Sequence, residues 1–390
     1  MALLSIDDAR ARVLAAAAPL AAEDVGVSEA LDRVLAQDVV AAADVPGFAN
    51  SAMDGFAVRS GPAGRRLRIV GESRAGAPAA AAVAEGDAIR ISTGALLPAG
   101  ADAVLEVERV AVADGTVELG DDVAAGRNVR PPGDDLRAGQ VVLRAGTRLG
   151  PAELGAAVGA GSGSLRCARR PALAIVATGD ELRAPGEPLA PGQLHDSNGI
   201  TLAALAARAG GDVVFATRAA DTPEATRAAI GAALEADVVV LSGGVSVGPH
   251  DHVKGALDAL GVREAFWRVA LRPGKPTWFG TRDGRLVFGL PGNPVSSMVT
   301  FLLFVRPALA RLQGGPAPPP RLRAELAVAV PRRPERDECV RVRLEEGRAR
   351  PTGPQGSHQL YSMVGADGLA VIPAGEGELP AGAPVEVEPI

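Results

Sequence analysis

Glycine-rich segments with acidic neighbours follow three apolar runs in the central part of the chain. They are residues 178–182 (Thr-Gly-Asp-Glu-Leu), 242–248 (Ser-Gly-Gly-Val-Ser-Val-Gly) and 291–294 (Pro-Gly-Asn-Pro). Glycine lets backbone N–H groups come close to an anion, and a helix that begins there presents its positive end to it. One such loop is usually only a tight connection, but three at one sheet edge indicate a site for phosphate and a metal ion.

Four acids fall on loops at predicted strand ends: Asp180, Glu181, Asp221 and Asp251. Asp221 and Asp251 have an alternative explanation as helix caps or first-turn charges, and both explanations stay open there. No helix start is evident at Glu181. Mg²⁺ prefers carboxylate oxygens together with substrate phosphates, so Glu181 and Asp251 are the predicted metal ligands.

The first third of the chain carries a separate polar cluster in residues 50–59 (Asn-Ser-Ala-Met-Asp-Gly-Phe-Ala-Val-Arg). Its Asp-Gly pair is the strongest short signal for a hairpin corner, so on local grounds the segment predicts a hairpin turn. Residues 90–95 and 130–135 likewise indicate a strand end and a proline turn. Residues 268–275 place three cations around a Pro-Gly turn. Such runs are usually solvated edges, and an oxyanion site is the alternative.

Four apolar strands alternate with helices between residues 171 and 313, which predicts a parallel α/β sheet. In such sheets ligands bind outside the carboxyl ends of the strands, where the glycine-rich segments lie. The predicted strands are 173–177, 212–216, 237–241 and 286–290; the predicted helices are 198–209, one capped by Thr222 with Pro223 at its first position, 251–260, and a long helix after Pro294.

The rest of the chain predicts three further parts. Residues 4–43 indicate two helices, the second capped at Ser28. Short β runs between Gly and Pro turns indicate a β-rich insertion, and a stiff Gly-Pro linker precedes a small C-terminal β domain. The predicted domains are 1–44 plus 141–170 (helical), 45–140 (inserted and β-rich), 171–313 (α/β) and 321–390 (C-terminal and β).

Composition argues against several functional classes. The 390 residues carry a formal net charge of −6, without the basic face that nucleic-acid binding needs. The two cysteines, Cys167 and Cys339, form no CxxC pair, so neither a structural zinc site nor a disulfide framework is expected. The expected location of the protein is the reducing cytoplasm. Asp7 and Asp8 argue against a signal peptide, and the apolar stretch 295–305 is too short to span a membrane.

Taken together, these segments resemble the molybdopterin molybdenumtransferase family, which includes bacterial enzymes and the matching domain of gephyrin. No single piece is specific, whereas their order and spacing through nearly the whole chain are. The segments that carry the resemblance are residues 50–59, 90–103, 133–136, 178–182, 196–198, 242–248, 273–276 and 291–296.

The resemblance implies an elongated chain of four parts that forms a homodimer. Each site would be shared between the α/β domain of one subunit and the inserted β-rich domain of the other. The implied reaction is the Mg²⁺-dependent insertion of molybdate into adenylylated molybdopterin, which releases AMP and forms molybdenum cofactor. The dithiolene sulfurs of the pterin hold the molybdenum, so the protein needs no metal-binding cysteine. The molybdopterin adenylyltransferase is a candidate partner.

The resemblance also implies roles for individual residues. The catalytic positions are Asp54, Thr93, Asp135, Glu181, Asp221 and Asp251. The substrate-binding positions are Arg130, Asp180, Ser197, Asn198, Ser242, Gly243, Gly244, Ser246, Gly248, Lys275, Pro291, Gly292, Asn293 and Pro294. Molybdate is placed at Arg272, Lys275 and Ser296, with Arg341 and Ser362 as the alternative. The departures from the family pattern are Ala49, Asp134, Arg268 and Arg272. At Arg268 and Arg272 the family frequently has lysine. Arginine keeps the positive charge but changes the geometry of the hydrogen-bond donors.

Two other functions are weighed against this one. A molybdopterin adenylyltransferase-like enzyme would share the α/β domain, but residues 50–59 and the other segments outside that domain argue against it. A scaffold of the gephyrin type is the alternative from a different class. Against a scaffold, the 390 residues contain no additional module and no long disordered linker.

Overall fold

Three six-stranded sheets contain most of the strands in the computed structural model, which describes residues 3–245, 252–316 and 320–390. The helices are α1 (Ile6–Ala16), α2 (Pro151–Gly159), α3 (Ser197–Arg208), α4 (Pro223–Ala233), α5 (Val253–Ala259), α6 (Pro294–Thr300) and α7 (Arg306–Leu312). The strands of the first part are β1 (Ala22–Gly26), β2 (Val39–Val40), β3 (Asn50–Ser51), β4 (Gly55–Val58), β5 (Arg66–Ser73), β6 (Asp87–Ile91), β7 (Ala103–Glu106), β8 (Val110–Ala113), β9 (Thr116–Leu119), β10 (Val129–Arg130), β11 (Val141–Leu143) and β12 (Ser164–Ala168).

The remaining strands belong to the central and C-terminal parts. The central strands are β13 (Ala172–Thr178), β14 (Leu182–Arg183), β15 (Leu194–His195), β16 (Asp212–Ala219), β17 (Val238–Ser242), β18 (Arg263–Trp267), β19 (Leu271–Arg272), β20 (Trp278–Arg282) and β21 (Arg285–Leu290). The C-terminal strands are β22 (Leu322–Leu326), β23 (Val330–Pro331), β24 (Asp337–Glu345), β25 (Arg348–Pro351), β26 (Gly368–Ile372), β27 (Glu378–Leu379) and β28 (Pro384–Pro389).

The N-terminal segment contains one helix where two were predicted. Helix α1 begins after Ser5, whose hydroxyl accepts the Asp8 N–H at 3.0 Å. The second helix, predicted to begin at Ser28, is wrong, because Val27–Glu29 forms only a single 3-10 turn. On either side of this turn the chain pairs with distant strands, β1 with β12 and β2 with β11. Tertiary pairing therefore overrides the local helical pattern.

The β-rich part between β2 and β11 is built on a sheet with the strand order β7-β4-β6-β5-β9-β8. The hairpin predicted within residues 50–59 is wrong, because β3 pairs with β10 whereas β4 pairs with β6 and β7. Glycine is required at Gly55 for another reason. A Cβ at this position would collide with the Leu105 carbonyl of the neighbouring strand.

The central sheet has the order β16-β13-β17-β21-β20-β18. The first four strands are parallel, as predicted, but β20 and β18 are antiparallel, so the sheet is mixed. Alternate residues of β13 and β17 face two separate cores. One core contains α1, α3, α6 and α7, and the other contains α4 and α5. Because both faces are covered, the carboxyl edge of the parallel strands is the open side.

The two C-terminal helices continue into each other through a π-helical segment, Phe301–Val305. The combined helix, Pro294–Leu312, has the length and apolarity of a membrane span, but 78% of its most apolar window is buried inside the fold. It packs in the core that also holds α1 and α3. Its composition is therefore that of a core helix.

The C-terminal strands close into a ring, since β24 pairs with both β25 and β26 and the chain of pairings returns through β22 and β28. Several contacts attach this barrel to the rest of the chain, among them a strand pairing and an ion cluster. Strand β19 pairs with β24. The carboxylate of Glu388, which is only 2% exposed, lies 2.9 Å from Arg10, 2.8 Å from Arg306 and 3.3 Å from Arg321.

Candidate functional site

A cleft of about 750 Å³ opens at the carboxyl edge of the parallel strands. The three glycine-rich segments meet there, with contributions from the start of α3 and from the C-terminal barrel. The lining residues are Thr178, Gly179, Glu181, Leu182, Leu194, His195, Asp196, Ser197, Asn198, Asp221, Gly243, Gly244, Val245, Pro276, Pro291, Gly292, Asn293, Pro294, His358 and Leu360. Predicted site residues from all three loops therefore share one cavity.

The glycines after β17 allow two loops to lie against each other. Gly243 has φ +93°, and a Cβ there would lie 2.8 Å from the Thr178 hydroxyl. Gly244 has φ +65°, and a Cβ there would lie 2.5 Å from the Val253 side chain. A larger residue at either position would push the loops apart, and backbone N–H groups could no longer approach a bound anion closely.

Asp180 and Asp221 hold the ends of β13 and β16 together by a reciprocal exchange. The Asp180 N–H donates to Asp221 Oδ2 at 3.3 Å, and the Asp221 N–H donates to Asp180 Oδ1 at 3.1 Å. The cap of α4 is Thr222, whose hydroxyl accepts the Ala225 N–H at 3.2 Å. The helix-cap explanation for Asp221 is therefore wrong, and this carboxylate lines the cleft beside Glu181.

Asn198 connects three loops of the cleft. Its Nδ2 donates to the Ser242 hydroxyl at 2.8 Å and to the Gly292 carbonyl at 2.7 Å. Ser297 extends the connection by donating to the Pro291 carbonyl at 2.9 Å. The Asn198 Oδ1 atom is buried and has no hydrogen-bond donor among the described residues. It is therefore an acceptor available to a ligand that carries N–H or O–H groups.

The acids of the cleft could hold a magnesium ion only if a substrate supplied further ligands. Within residues 3–245, 252–316 and 320–390, no three His, Cys, Asp or Glu side chains lie close enough to hold a metal on their own. Glu181 lines the cleft, whereas Asp251, Ser246 and Gly248 lie outside the described residues. Mg²⁺ commonly takes one or two carboxylates and completes its shell with water and phosphate oxygens, and Glu181 with Asp221 matches that pattern.

The residues predicted to bind molybdate are not among those that line the cleft. Arg272 is 3.4 Å from Glu338, and Ser296 is 4% exposed at the start of α6. Lys275 is half-buried and forms no ion pair in the described part of the chain, and the adjacent Pro276 lines the cleft. In sequence, Lys275 is thus next to a cleft-lining residue, and Ser296 lies two residues after another, Pro294.

Arg341 is a fully buried cation in the C-terminal barrel. Its Nε donates to the Ser362 hydroxyl at 3.0 Å and its Nη2 donates to the Gly356 carbonyl at 3.2 Å. Its Nη1 has no acceptor among the described residues. Burial lowers the pKa of this guanidinium, an effect that Glu338 opposes and Arg272 adds to. A buried cation with a free donor and a second arginine nearby is an environment that stabilises an anion.

The predicted positions in the β-rich part are exposed and none lines the cleft of the same chain. Asp54 Oδ1 accepts the Thr93 N–H at 2.9 Å, which brings two of them together. Arg130 pairs with Asn50 across β10 and β3, and Asp135 lies nearby in sequence. The exposed polar surface of this part includes Asp54, Thr93, Arg130 and Asp135, and none of the four lines the cleft of its own chain.

Four cleft residues lie outside every segment that the sequence analysis singled out. Leu194 and His195 come from the short strand β15, which pairs with β14 at the cleft mouth. His358 and Leu360 come from the barrel. Their segment is attached to α6, because Asn293 Nδ2 donates to the Ser357 hydroxyl at 2.8 Å and the Val295 N–H donates to the Ser357 carbonyl at 3.1 Å. No local sequence pattern predicts this contact between the Ser357 segment and α6.

Both cysteines are buried, and neither is part of the site. Burial raises the pKa of the Cys167 thiol, and it raises the pKa of Cys339 to about 12. Both residues are therefore neutral thiols at physiological pH. A thiol of this kind is a poor metal ligand, because the thiolate is the species that binds metals.

Three family models match the chain. The "MoeA N-terminal region (domain I and II)" matches residues 4–161, the "Probable molybdopterin binding domain" matches 174–311, and the "MoeA C-terminal region (domain IV)" matches 323–390. The match to the N-terminal region covers the exposed polar surface, and the match to the molybdopterin-binding domain covers the glycine-rich loops. Most of the described fold therefore lies within matched segments.

Full-length relatives are also similar to the chain. A molybdopterin molybdenumtransferase of Haemophilus influenzae is 35% identical over 99% of this chain and 98% of its own. One of Synechococcus elongatus is 37% identical over 95% of this chain and 94% of its own. The crystal structure of a molybdopterin biosynthesis MoeA protein from Pyrococcus horikoshii aligns with a TM-score of 0.85 at 32% identity, covering 99% of both chains.

Proposed function

The chain belongs to the molybdopterin molybdenumtransferase family, and we propose that it inserts molybdate into adenylylated molybdopterin with release of AMP. The observation that carries the proposal is the meeting of three glycine-rich loops, Glu181 and Asp221 in one cleft at the carboxyl edge of the parallel strands. Closely approaching backbone N–H groups suit phosphates, and the free Asn198 acceptor suits the N–H groups of a pterin or an adenine.

We place the molybdate site of this proposal at Arg272, Lys275 and Ser296 together with the buried Arg341 and Ser362. The pairing of β19 with β24 and the hydrogen bond between Asn293 and Ser357 support combining these two alternative sets into one site. Molybdate is a dianion, and charge-assisted hydrogen bonds are roughly twice as strong as neutral ones. Arg341 Nη1 and Lys275, which have no acceptor and no acidic partner respectively among the described residues, supply such donors.

Magnesium would be held by Glu181, with Asp251 as the second predicted ligand and Asp221 beside them. When bound, it would supply positive charge to the pyrophosphate oxygens as the bond to AMP breaks. The residues of the chain would orient the phosphates through the loops at Gly243 and Gly292 and exclude water from the bond to molybdenum. Glu181 and Asp221 both line the cleft, and one or two carboxylates completed by phosphate oxygens are a common ligand set for Mg²⁺, which supports this assignment.

A homodimer is also part of the proposal. Asp54, Thr93, Arg130 and Asp135 are exposed and lie outside the cleft of their own chain, as expected if they serve the cleft of a second copy. The adenylylated substrate would come from a molybdopterin adenylyltransferase, which is the proposed partner. Two buried, neutral thiols fit the reducing cytoplasm proposed as the location.

The experiment that tests the function is AMP release on adding molybdate to protein loaded with adenylylated molybdopterin. Release that depends on both molybdate and Mg²⁺ is expected, with molybdenum retained on the pterin. The rival function, an adenylyltransferase, predicts instead that the protein consumes ATP in the presence of molybdopterin. ATP consumption without a molybdate response would overturn the proposal in favour of that rival.

A further inference from the structure

His358 carries an imidazole to which the function proposed above gives no role. It lines the cleft, yet it belongs to the barrel that also supplies Arg341. Resting on the function proposed above, we propose that His358 is a further catalytic residue, which carries a proton from a pterin thiol to the molybdate oxygen that leaves as water. The assignment comes from its position and from the proton balance of molybdenum insertion.

Hydrogen bonds of the two residues that precede His358 hold its segment in place. Its neighbour Ser357 is bonded to Asn293 and Val295 at the start of α6. A Cβ on Gly356 would lie 3.0 Å from His358 Cε1, so the imidazole lies against the Gly356 backbone, and the Gly356 carbonyl accepts from Arg341 Nη2 at 3.2 Å. The ring is therefore two residues from the Arg341 contact in sequence, and it also lines the cleft.

Molybdenum insertion requires that protons move from the pterin thiols to molybdate. Molybdate and a pterin dithiol give a trioxo molybdenum dithiolene and one water. Two S–H bonds and one molybdenum–oxygen bond break, two molybdenum–sulfur bonds form, and molybdenum keeps its oxidation state. The two thiol protons must travel from sulfur to the departing oxygen. Imidazole is suited to this, because one nitrogen accepts a proton while the other donates one near neutral pH.

The other described histidines are less suited to this role. His195 also lines the cleft, but its Nε2 already bonds to the Glu187 carbonyl at 2.9 Å. His252 lies beside a different cavity, between α4 and α5. The His358 ring has no hydrogen-bond partner among the residues that the structure describes, so both of its nitrogens are available to substrate.

The test compares wild type with His358→Gln, which keeps a hydrogen-bonding group but cannot relay protons. Both are loaded with adenylylated molybdopterin, and molybdenum retained on the pterin is followed in a single turnover. His358→Gln should insert molybdenum about 10²-fold more slowly, with unchanged affinity for the loaded pterin, and added imidazole should restore part of the rate. Tyr361→Phe, an 86% exposed position in the same segment, is the matched control and should behave as wild type.

The outcomes separate this inference from the proposed function. If wild type responds to molybdate and His358→Gln inserts molybdenum at a similar rate, the relay is wrong and the function stands. If His358→Gln loses affinity for the pterin and imidazole does not restore the rate, His358 only binds substrate and the relay is again wrong. A wild type that never responds to molybdate overturns both.

Discussion

At the scale of single residues, the cations proposed to bind molybdate differ in whether an acidic side chain lies beside them. Arg272 lies beside Glu338, whereas Lys275 has no acidic partner in the described part of the chain. Lys275→Ala should therefore raise the molybdate concentration for half-maximal AMP release by about tenfold or more, while binding of adenylylated molybdopterin is unchanged. Loss of pterin binding with an unchanged molybdate requirement would mean instead that Lys275 contacts phosphate.

Glu181 is the acid whose role in the cleft is least explained by structure alone. It caps no helix, and it lines the cavity next to Gly179. Glu181→Gln should reduce turnover by at least about 10²-fold and raise the Mg²⁺ concentration required, with the melting temperature nearly unchanged. Glu224→Gln, in the exposed first turn of α4, is the matched control. A lower melting temperature with near-normal turnover would show that Glu181 is structural.

The residues of the site differ in how visible they are in the sequence. Gly243, Gly292 and Glu181 could be predicted because a strand followed by a glycine-rich loop has a local signature. His358 and Leu360 could not, because they reach the cleft through hydrogen bonds between Ser357 and the start of α6. Such contacts depend on the docking of two sheets, which no local pattern encodes.

At the scale of elements, Asp237 joins the start of β17 to the chain that enters β13. Its carboxylate accepts both Arg169 guanidinium N–H groups, at 2.8 and 2.9 Å, and the Ala172 N–H at 2.8 Å. Partial burial by itself would raise the pKa of Asp237, but these hydrogen bonds, with the charge of Arg285 nearby, hold the pKa below its ordinary value.

The lowered pKa of Asp237 predicts a pH dependence of stability. The unfolded carboxyl titrates near about pH 4, so the stabilisation is complete above that pH and is lost as the pH falls through the lower folded value. Asp237→Asn should therefore be less stable than wild type by a constant amount between about pH 5 and 7, with the difference shrinking below about pH 4. Urea unfolding at several pH values measures this. A difference that grows in acid would contradict it.

The elements were predictable where burial is two-sided and the connection is local. The four parallel strands and the Thr222 cap were confirmed because each has a continuous apolar run or a short polar signal. The antiparallel strands β18 and β20 were missed, since residues 268–275 between them look like a charged loop. The helix predicted at Ser28 failed because β1 and β2 pair with strands that follow the β-rich insertion.

At the scale of the whole molecule, Glu388 attaches the barrel to α1 through Arg10 and to α7 through Arg306, and Arg321, just before β22, completes the ion cluster. Removing one member of a buried ion cluster leaves uncompensated charge, so Glu388→Ala should cost about 3–5 kcal/mol of stability. Glu386→Ala is the matched control, since Glu386 is 57% exposed and pairs with Arg321 alone, and it should change stability by no more than about 0.5 kcal/mol. Chemical denaturation of both variants checks this. Equal losses of stability in the two variants would show that the buried ion cluster contributes no more than an exposed ion pair.

The proposed dimer can be tested by complementation between inactive chains. Asp54→Asn and Glu181→Gln would each disable every site of a homodimer. A heterodimer of the two, isolated through different affinity tags, should contain one intact site and one doubly substituted site, and so recover about half of wild-type turnover. No recovery, or a fully active monomer by light scattering, would show that each site belongs to a single chain.

The burial of both cysteines has a practical consequence. Cys167 and Cys339 are neutral, enclosed thiols, with the pKa of Cys339 raised to about 12. Thiol-directed reagents attack the thiolate and need access to it, so the folded protein should remain unlabelled under native conditions. A single cysteine introduced at an exposed position would then carry a fluorophore or spin label without background. Two such cysteines, one in the β-rich insertion and one in the barrel, would allow the distance between these two parts to be followed during turnover.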